Sequence, residues 1–166
     1  MSRVSSVRDL ESEAFQQKEW RFQTVSRVVV GAILVAAAGG FFGTGPLSGT
    51  EAGDDAGTIT VRYERFVRHQ GQAELTVSLG AGAVDGSSAT LFLSRSLLDE
   101  MDIQNIDPQP ASARSTEDGV FYTFEADVNS PPVVSVTYRP DGLGPVRGTA
   151  RAGSGEPVTI RQFAHP

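Results

Sequence analysis

Gln72–Leu79 reads QAELTVSL. Ala73, Leu75, Val77 and Leu79 alternate with Glu74, Thr76 and Ser78. A period of two sends apolar side chains to one face and polar ones to the other, which predicts a half-buried β-strand. The same alternation recurs on both sides. Thr58–Tyr63 places Ile59, Val61 and Tyr63 together, Ala89–Ser94 places Leu91 and Leu93, and Gly119–Ala126 places Val120, Tyr122 and Phe124. Val133–Tyr138 does so with Val134, Val136 and Tyr138, and Val146–Arg151 and Pro157–Phe163 supply two more strands. Asp102–Asp107 is a weaker strand. Ser96-Leu97-Leu98-Asp99 has the form of a capping box and predicts one helical turn.

Turn chemistry separates these segments at Asp85-Gly86, Asp118-Gly119, Pro131-Pro132, Asp141-Gly142 and Gly153–Gly155. Short strands with regular turns and one apolar face each predict an all-β domain over 58–166. It is an antiparallel β-sandwich of immunoglobulin-like architecture, or a small barrel. There is no Cys…Trp…Cys signature, so "immunoglobulin-like" describes architecture alone.

The first quarter of the chain is different. Residues 28–50 carry no charge, and 28–47 is about the ~20 residues that cross a hydrocarbon core of ~30 Å. A soluble core helix would show a polar face, which this run lacks. Ala36-Ala37-Ala38 fits a signal-cleavage pattern, but the 27 residues before the run hold four acids, unlike a short basic leader. The expectation is one uncleaved transmembrane helix, with Pro46 marking its exit. Arg21 and Arg27 precede the run and the next basic residue is Arg62. This predicts a cytoplasmic N-terminus and an exported C-terminal domain. Trp20, Arg21, Phe22 and Arg27 are the expected interface anchors. Ala32, Ala36 and Gly40 recur every fourth residue, and Gly39 and Gly43 form a GxxxG. Small residues at this spacing let helices approach closely, so the run is a candidate packing face for a membrane partner or a second copy.

Residues 1–27 form a predicted helical arm, rich in helix formers and free of Gly and Pro from Asp9 to Arg27. Residues 48–57 read as a Gly-rich acidic linker. Asp54-Asp55 lacks the spacing of a calcium loop.

Charge and composition limit the chemistry. Residues 51–166 hold nine arginines against sixteen acids, a net −7, while residues 1–27 are +1. An acidic domain is a poor phosphate binder, so no nucleic acid is expected. No cysteine occurs, which excludes disulfides, thiol nucleophiles and Cys-based zinc sites. His69 and His165 stand in no metal-ligand spacing, and no GxSxG or SxxK is present. Neither GAGAVDG nor GLGPVRG matches a phosphate loop. No catalytic residue, metal or cofactor is expected, and the chain reads as a non-enzyme.

The most distinctive stretch is Arg62–His69, RYERFVRH, with three arginines in an acidic domain. Arg62, Arg65, Arg68 and His69 are the candidate partner-contact rim. The competing reading is structural, with Arg65 on the face of Ile59 and Val61 as an inward charge at a sheet edge, unless a bulge intervenes.

FQQKEWRFQ before the run, FFGTGPLS at its end, VRYERFVRHQ at the first strand and the terminal IRQFAHP are similar to a group of small uncharacterised bacterial single-pass inner-membrane proteins. The resemblance spans most of the chain and implies one span and an exported domain. It also implies a membrane partner, through the group's association with YetF-like membrane proteins. It implies no catalytic residues. Two functions follow as expectations: an accessory or interaction subunit of an envelope membrane complex, or a membrane-tethered extracytoplasmic ligand-binding β-domain.

Overall fold

The computed structural model describes residues 23–35 and 48–166. Trp20, Arg21, Phe22, Ala36, Gly39, Gly40 and Gly43 therefore lie outside the described residues. The chain divides into two compact units, Met1–Gly39 and Gly40–Pro166.

In the first unit, residues 23–35 are helical (α1). Val28, Val29, Val30, Ile33, Leu34 and Val35 are each at least half exposed. Only eight residues of the predicted 28–47 span fall within α1. Among the described residues no helix is long and apolar enough to cross a membrane.

The second unit is mostly β, built as two sheets. One has five strands: β1 (Gly49–Gly53), β2 (Ile59–Glu64), β4 (Ala73–Leu79), β10 (Val133–Pro140) and β7 (Met101–Asp107), adjacent in that order and all antiparallel. The other orders β3 (Phe66–Arg68), β12 (Val158–His165), β11 (Gly144–Ala152), β6 (Ser88–Ser94), β9 (Gly119–Glu125) and β8 (Ser112–Ser115). A two-residue β5 (Val84–Asp85) pairs with β6. The alternation read in the sequence becomes the core: Ile59, Val61, Leu75, Val77, Val134 and Val136 from one sheet meet Leu91, Leu93, Phe124, Ala150 and Ile160 from the other. A β-sandwich is the outcome.

Several finer expectations are corrected. The predicted 48–57 linker is not a free tether. Gly49–Gly53 pairs along β2, from Gly49 opposite Glu64 to Gly53 opposite Thr60. Asp54 closes the β1–β2 turn: its Oδ1 accepts the amides of Thr58 at 2.7 Å and Ile59 at 3.0 Å, and its Oδ2 accepts the Thr58 hydroxyl. The Thr58 hydroxyl bond, with the two amides behind it, holds the Asp54 carboxyl below the usual carboxylate range. The sheets are also not wholly antiparallel, because β3 and β12 run parallel, Phe66 beside Phe163. The helical turn α2 spans Arg95–Leu98, two residues earlier than a box capped by Ser96 would place it. Ser94 occupies the cap position without a side-chain cap bond, since its hydroxyl accepts the Thr149 amide at 2.9 Å instead.

One buried polar group joins the sheets. Gln162 of β12 is 5% exposed, on the inward row between Ile160 and Ala164. Its Nε2 donates to the Glu64 carbonyl at 2.7 Å, and its amide meets the Tyr138 hydroxyl at 2.7 Å from Nε2 and 2.9 Å from Oε1. Burial raises the Tyr138 phenol to about 12, against a lowering by the Gln162 bond. The unfolded chain ionises this tyrosine near 10 while the native fold keeps it protonated to about 12. Between those values the unfolded state binds fewer protons, so stability falls as pH rises. Tyr138→Phe is expected to cost about 1–3 kcal/mol at neutral pH, by stripping a buried amide of one partner. It should also flatten the loss above pH 10. Urea melts of both proteins from pH 9 to 11.5 check this; an unchanged alkaline slope in the variant would contradict it.

Candidate functional site

Strand pairing fixes which side chains share each outer face. On the five-stranded sheet, register places Glu51, Arg62, Thr76, Ser135 and Asp107 in one row. The adjacent row runs Gly49, Glu64, Glu74, Thr137 and Asn105; Glu74 lies opposite Thr137, and Glu64 and Glu74 are the next step of the β2–β4 ladder after Tyr63–Leu75. Between these rows lies an open groove of about 490 Å³, lined by Arg62, Glu64, Gln72, Glu74, Thr76 and Thr137, with Gly49 at one wall. A Cβ on Gly49 would meet nothing within 4 Å, so the missing side chain helps keep the groove open. Glu74 accepts the Ser135 hydroxyl at 2.5 Å.

The groove is polar and solvent-facing. Its Arg62 reaches Glu51 at 3.0 Å, with the two side chains 72% and 54% exposed. A pair that open contributes under about 1 kcal/mol, so it orients the guanidinium more than it stabilises the sheet.

The structure divides the predicted Arg62–His69 rim between two sheets. β2 ends at Glu64 and the chain bends at Arg65. Arg65 is therefore exposed rather than on the Ile59–Val61 face, with its Nη2 donating to Thr50 Oγ1 at 3.1 Å. Its amide donates to the Ser48 carbonyl at 2.8 Å, and its carbonyl accepts the Phe163 amide at 2.7 Å. Arg65 thus makes the step from one sheet to the other. Arg62 faces out from the five-stranded sheet, while Arg68 sits on β3 opposite His165. The His69 amide donates to the His165 carbonyl at 2.7 Å, and its Nδ1 is buried with no partner. Among the described residues no group of three His, Asp or Glu could hold a metal ion.

The outer face of the seven-stranded sheet has the opposite charge. Register aligns Arg114, Phe121, Phe92 and Arg151 across β8, β9, β6 and β11. The two rings lie 4.7 Å apart between centroids. Each outer arginine caps one ring, Arg114 at 5.1 Å from Phe121 and Arg151 at 5.3 Å from Phe92. Guanidinium over a ring face is a favourable electrostatic contact. Two further arginines, Arg147 and Arg161, stand directly opposite each other on β11 and β12.

Sequence reasoning missed both like-charge pairs, Glu64 with Glu74 and Arg147 with Arg161. The signal lies in register: each residue falls on the polar phase of its own strand, and only the pairing joins them.

No family model matches the chain, and no curated protein matches it. The class defined by the strand pairing is a two-sheet β-sandwich with both outer faces uncovered within its own unit. Among solved structures it is similar to a cohesin module from Clostridium perfringens ATCC13124 family 33 glycoside hydrolase. That likeness has 13% identity and a TM-score of 0.44, over 70% of this chain and 98% of the module.

Proposed function

We propose that this chain is a non-enzymatic, membrane-anchored interaction protein of the bacterial inner membrane, an accessory subunit of an envelope complex. Residues 28–47 anchor it and pack against a partner through Ala32, Ala36, Gly39, Gly40 and Gly43. The N-terminus is cytoplasmic and the sandwich is exported. The apolar side chains exposed along α1 support the anchor, since lipid is the surrounding that such a surface needs. The observation that carries the interaction reading is the pair of outer sheet faces, polar and oppositely charged, that the sandwich leaves open. Charged faces of this kind steer and select partners.

Crosslinking in bacterial membranes, followed by purification in mild detergent, is expected to recover the chain with a second membrane protein or a second copy. Gly40→Ile is expected to reduce that recovery. A lone monomer, unaffected by Gly40→Ile, would overturn the proposal. A cytoplasm-only reporter fused after Phe163 should be silent, and its activity would reverse the orientation.

The groove favours a second reading, a tethered ligand-binding domain. Convergent polar groups in a concavity are what a small polar ligand requires. Soluble fragments of cell-envelope polymer would then shift the amide signals of Thr76 and Thr137, and Glu74→Ala would abolish the shift.

A further inference from the structure

The arginines of the seven-stranded outer face are Arg68, Arg114, Arg147, Arg151 and Arg161, and its acids are Asp85 and Glu125, both opposite Ser88, a net +3. On the five-stranded outer face, Glu51, Glu64, Glu74, Asp102 and Asp107 stand against Arg62 and Arg139, a net −3. A domain that is acidic overall thus sorts most of its cations onto one side. Arg62–Glu51 is the sole ion pair among the described residues. Neither guanidinium of the Arg147–Arg161 pair has a counter-charge there, and like charges directly opposite one another destabilise a sheet. Glu64 and Glu74, just beyond the Tyr63–Leu75 pair that ends the β2–β4 ladder, bring two acids together in the groove of the other face.

We propose that the sandwich binds a second copy of this chain, front to back. Arg147 and Arg161 of one copy enter the groove of the next and pair with Glu64 and Glu74. This deepens the reading of the chain as an interaction protein, on which it rests, by naming its partner. Each like-charge pair is relieved by the other. Arginine and carboxylate match in bidentate geometry, and the groove at Gly49 has room for two long side chains. Phe92 and Phe121 carry Arg151 and Arg114 over their rings beside the contact, lowering the ordering cost of binding.

The two patches lie on opposite sides of one domain, so the contact is heterologous. It extends from copy to copy instead of closing as a symmetric dimer. Five strands about 4.8 Å apart and roughly 20 Å long present on the order of 500 Å² per partner. That is the small end of specific interfaces, so free domains associate weakly. Copies confined to one membrane meet at high effective concentration, which makes a weak contact count.

The chain has no cysteine, so single cysteines report position cleanly. Full-length Glu74→Cys and Arg161→Cys chains, carrying different tags, are co-expressed in membranes and treated with a short bismaleimide. The mixed dimer is expected, while either variant alone gives only background. Homodimers of a single variant without the mixed species would overturn the proposal. Arg147→Glu with Arg161→Glu is expected to cut self-association by about tenfold or more. Adding Glu64→Arg and Glu74→Arg to the same chain should restore it, and thermal melts check that each variant folds. Association that survives the first reversal, or is not restored by the second, would overturn the proposal, as would arginine-dependent binding to anionic vesicles by a chain that stays monomeric. Capture of a different membrane protein by a chain that never crosslinks to itself would sink this inference and leave the interaction reading standing.

Discussion

Phe124→Ala is expected to destabilise the sandwich by about 3–5 kcal/mol, the cost of removing a large buried ring whose site collapses only in part. Phe124 is fully buried and, with Tyr138, heads the largest enclosed side chains. Its cross-strand neighbour on β6 is Ala89, which has no side-chain length to swing into the space. For a domain of this size the loss lowers Tm by roughly 10–20 °C. Phe121 supplies an internal control. It lies three residues earlier on the same strand, on the outer face, against Phe92 and Arg114. Phe121→Ala removes ring contacts worth about 0.5–1.5 kcal/mol beyond area and opens no enclosed cavity. Thermal and urea melts of the two variants should differ by severalfold in cost, and equal costs would mean that the assignment of β9's two faces is wrong.

The same contrast explains what could be read in the sequence. Strands of six or more residues with one buried face announce themselves by period, and eight such segments were legible. β1, β3, β5 and β8 were not. Phe66–Arg68 and Val84–Asp85 are too short to show a period, and Ser112–Ser115 is exposed along its whole length. In Gly49–Gly53, three glycine and alanine positions mimic linker composition, although the backbone pairs for five residues. The parallel β3–β12 pairing joins residues almost a hundred positions apart, beyond the reach of any local pattern.

The site was less legible still, for a related reason. Arg62–His69 drew attention as a basic run, yet in space it is a crossing between sheets whose arginines part company at Arg65. Surface charge in a sandwich is organised across strands, not along them. Arg147 and Arg161 look unremarkable in the sequence and become neighbours only through the β11–β12 register. Gln162 did carry a local signal, since a polar residue in phase with Ile160 and Ala164 must find buried partners. In IRQFAHP that phase alone marks Gln162 as inward-facing.

Gly119→Ala is the second change expected to be severe, at roughly 2–5 kcal/mol, because overpacking here meets backbone as well as side chain. Gly119 opens β9 and is buried, opposite Ser94. A Cβ there would collide with the Leu93 carbonyl oxygen and lie 2.9 Å from two atoms of the Phe92 ring. A ring can move, but the Leu93 carbonyl belongs to the β6 ladder and cannot. The corner is also tied in place. The Gly119 carbonyl accepts the Thr116 amide at 2.7 Å and the Thr116 hydroxyl at 2.9 Å, and the neighbouring Asp118 carbonyl accepts the Arg95 amide at the start of α2 at 2.7 Å. Gly86 is the control for glycine chemistry without collision. Its φ is +62° and a Cβ would meet nothing within 4 Å, so Gly86→Asn should cost under about 1 kcal/mol. Melts of the two variants separate the causes. Displacing Phe92 also removes the surface on which Arg151 rests, 5.3 Å from the ring centre. A folded fraction of Gly119→Ala should therefore self-associate less than the wild type, even though no charge has changed.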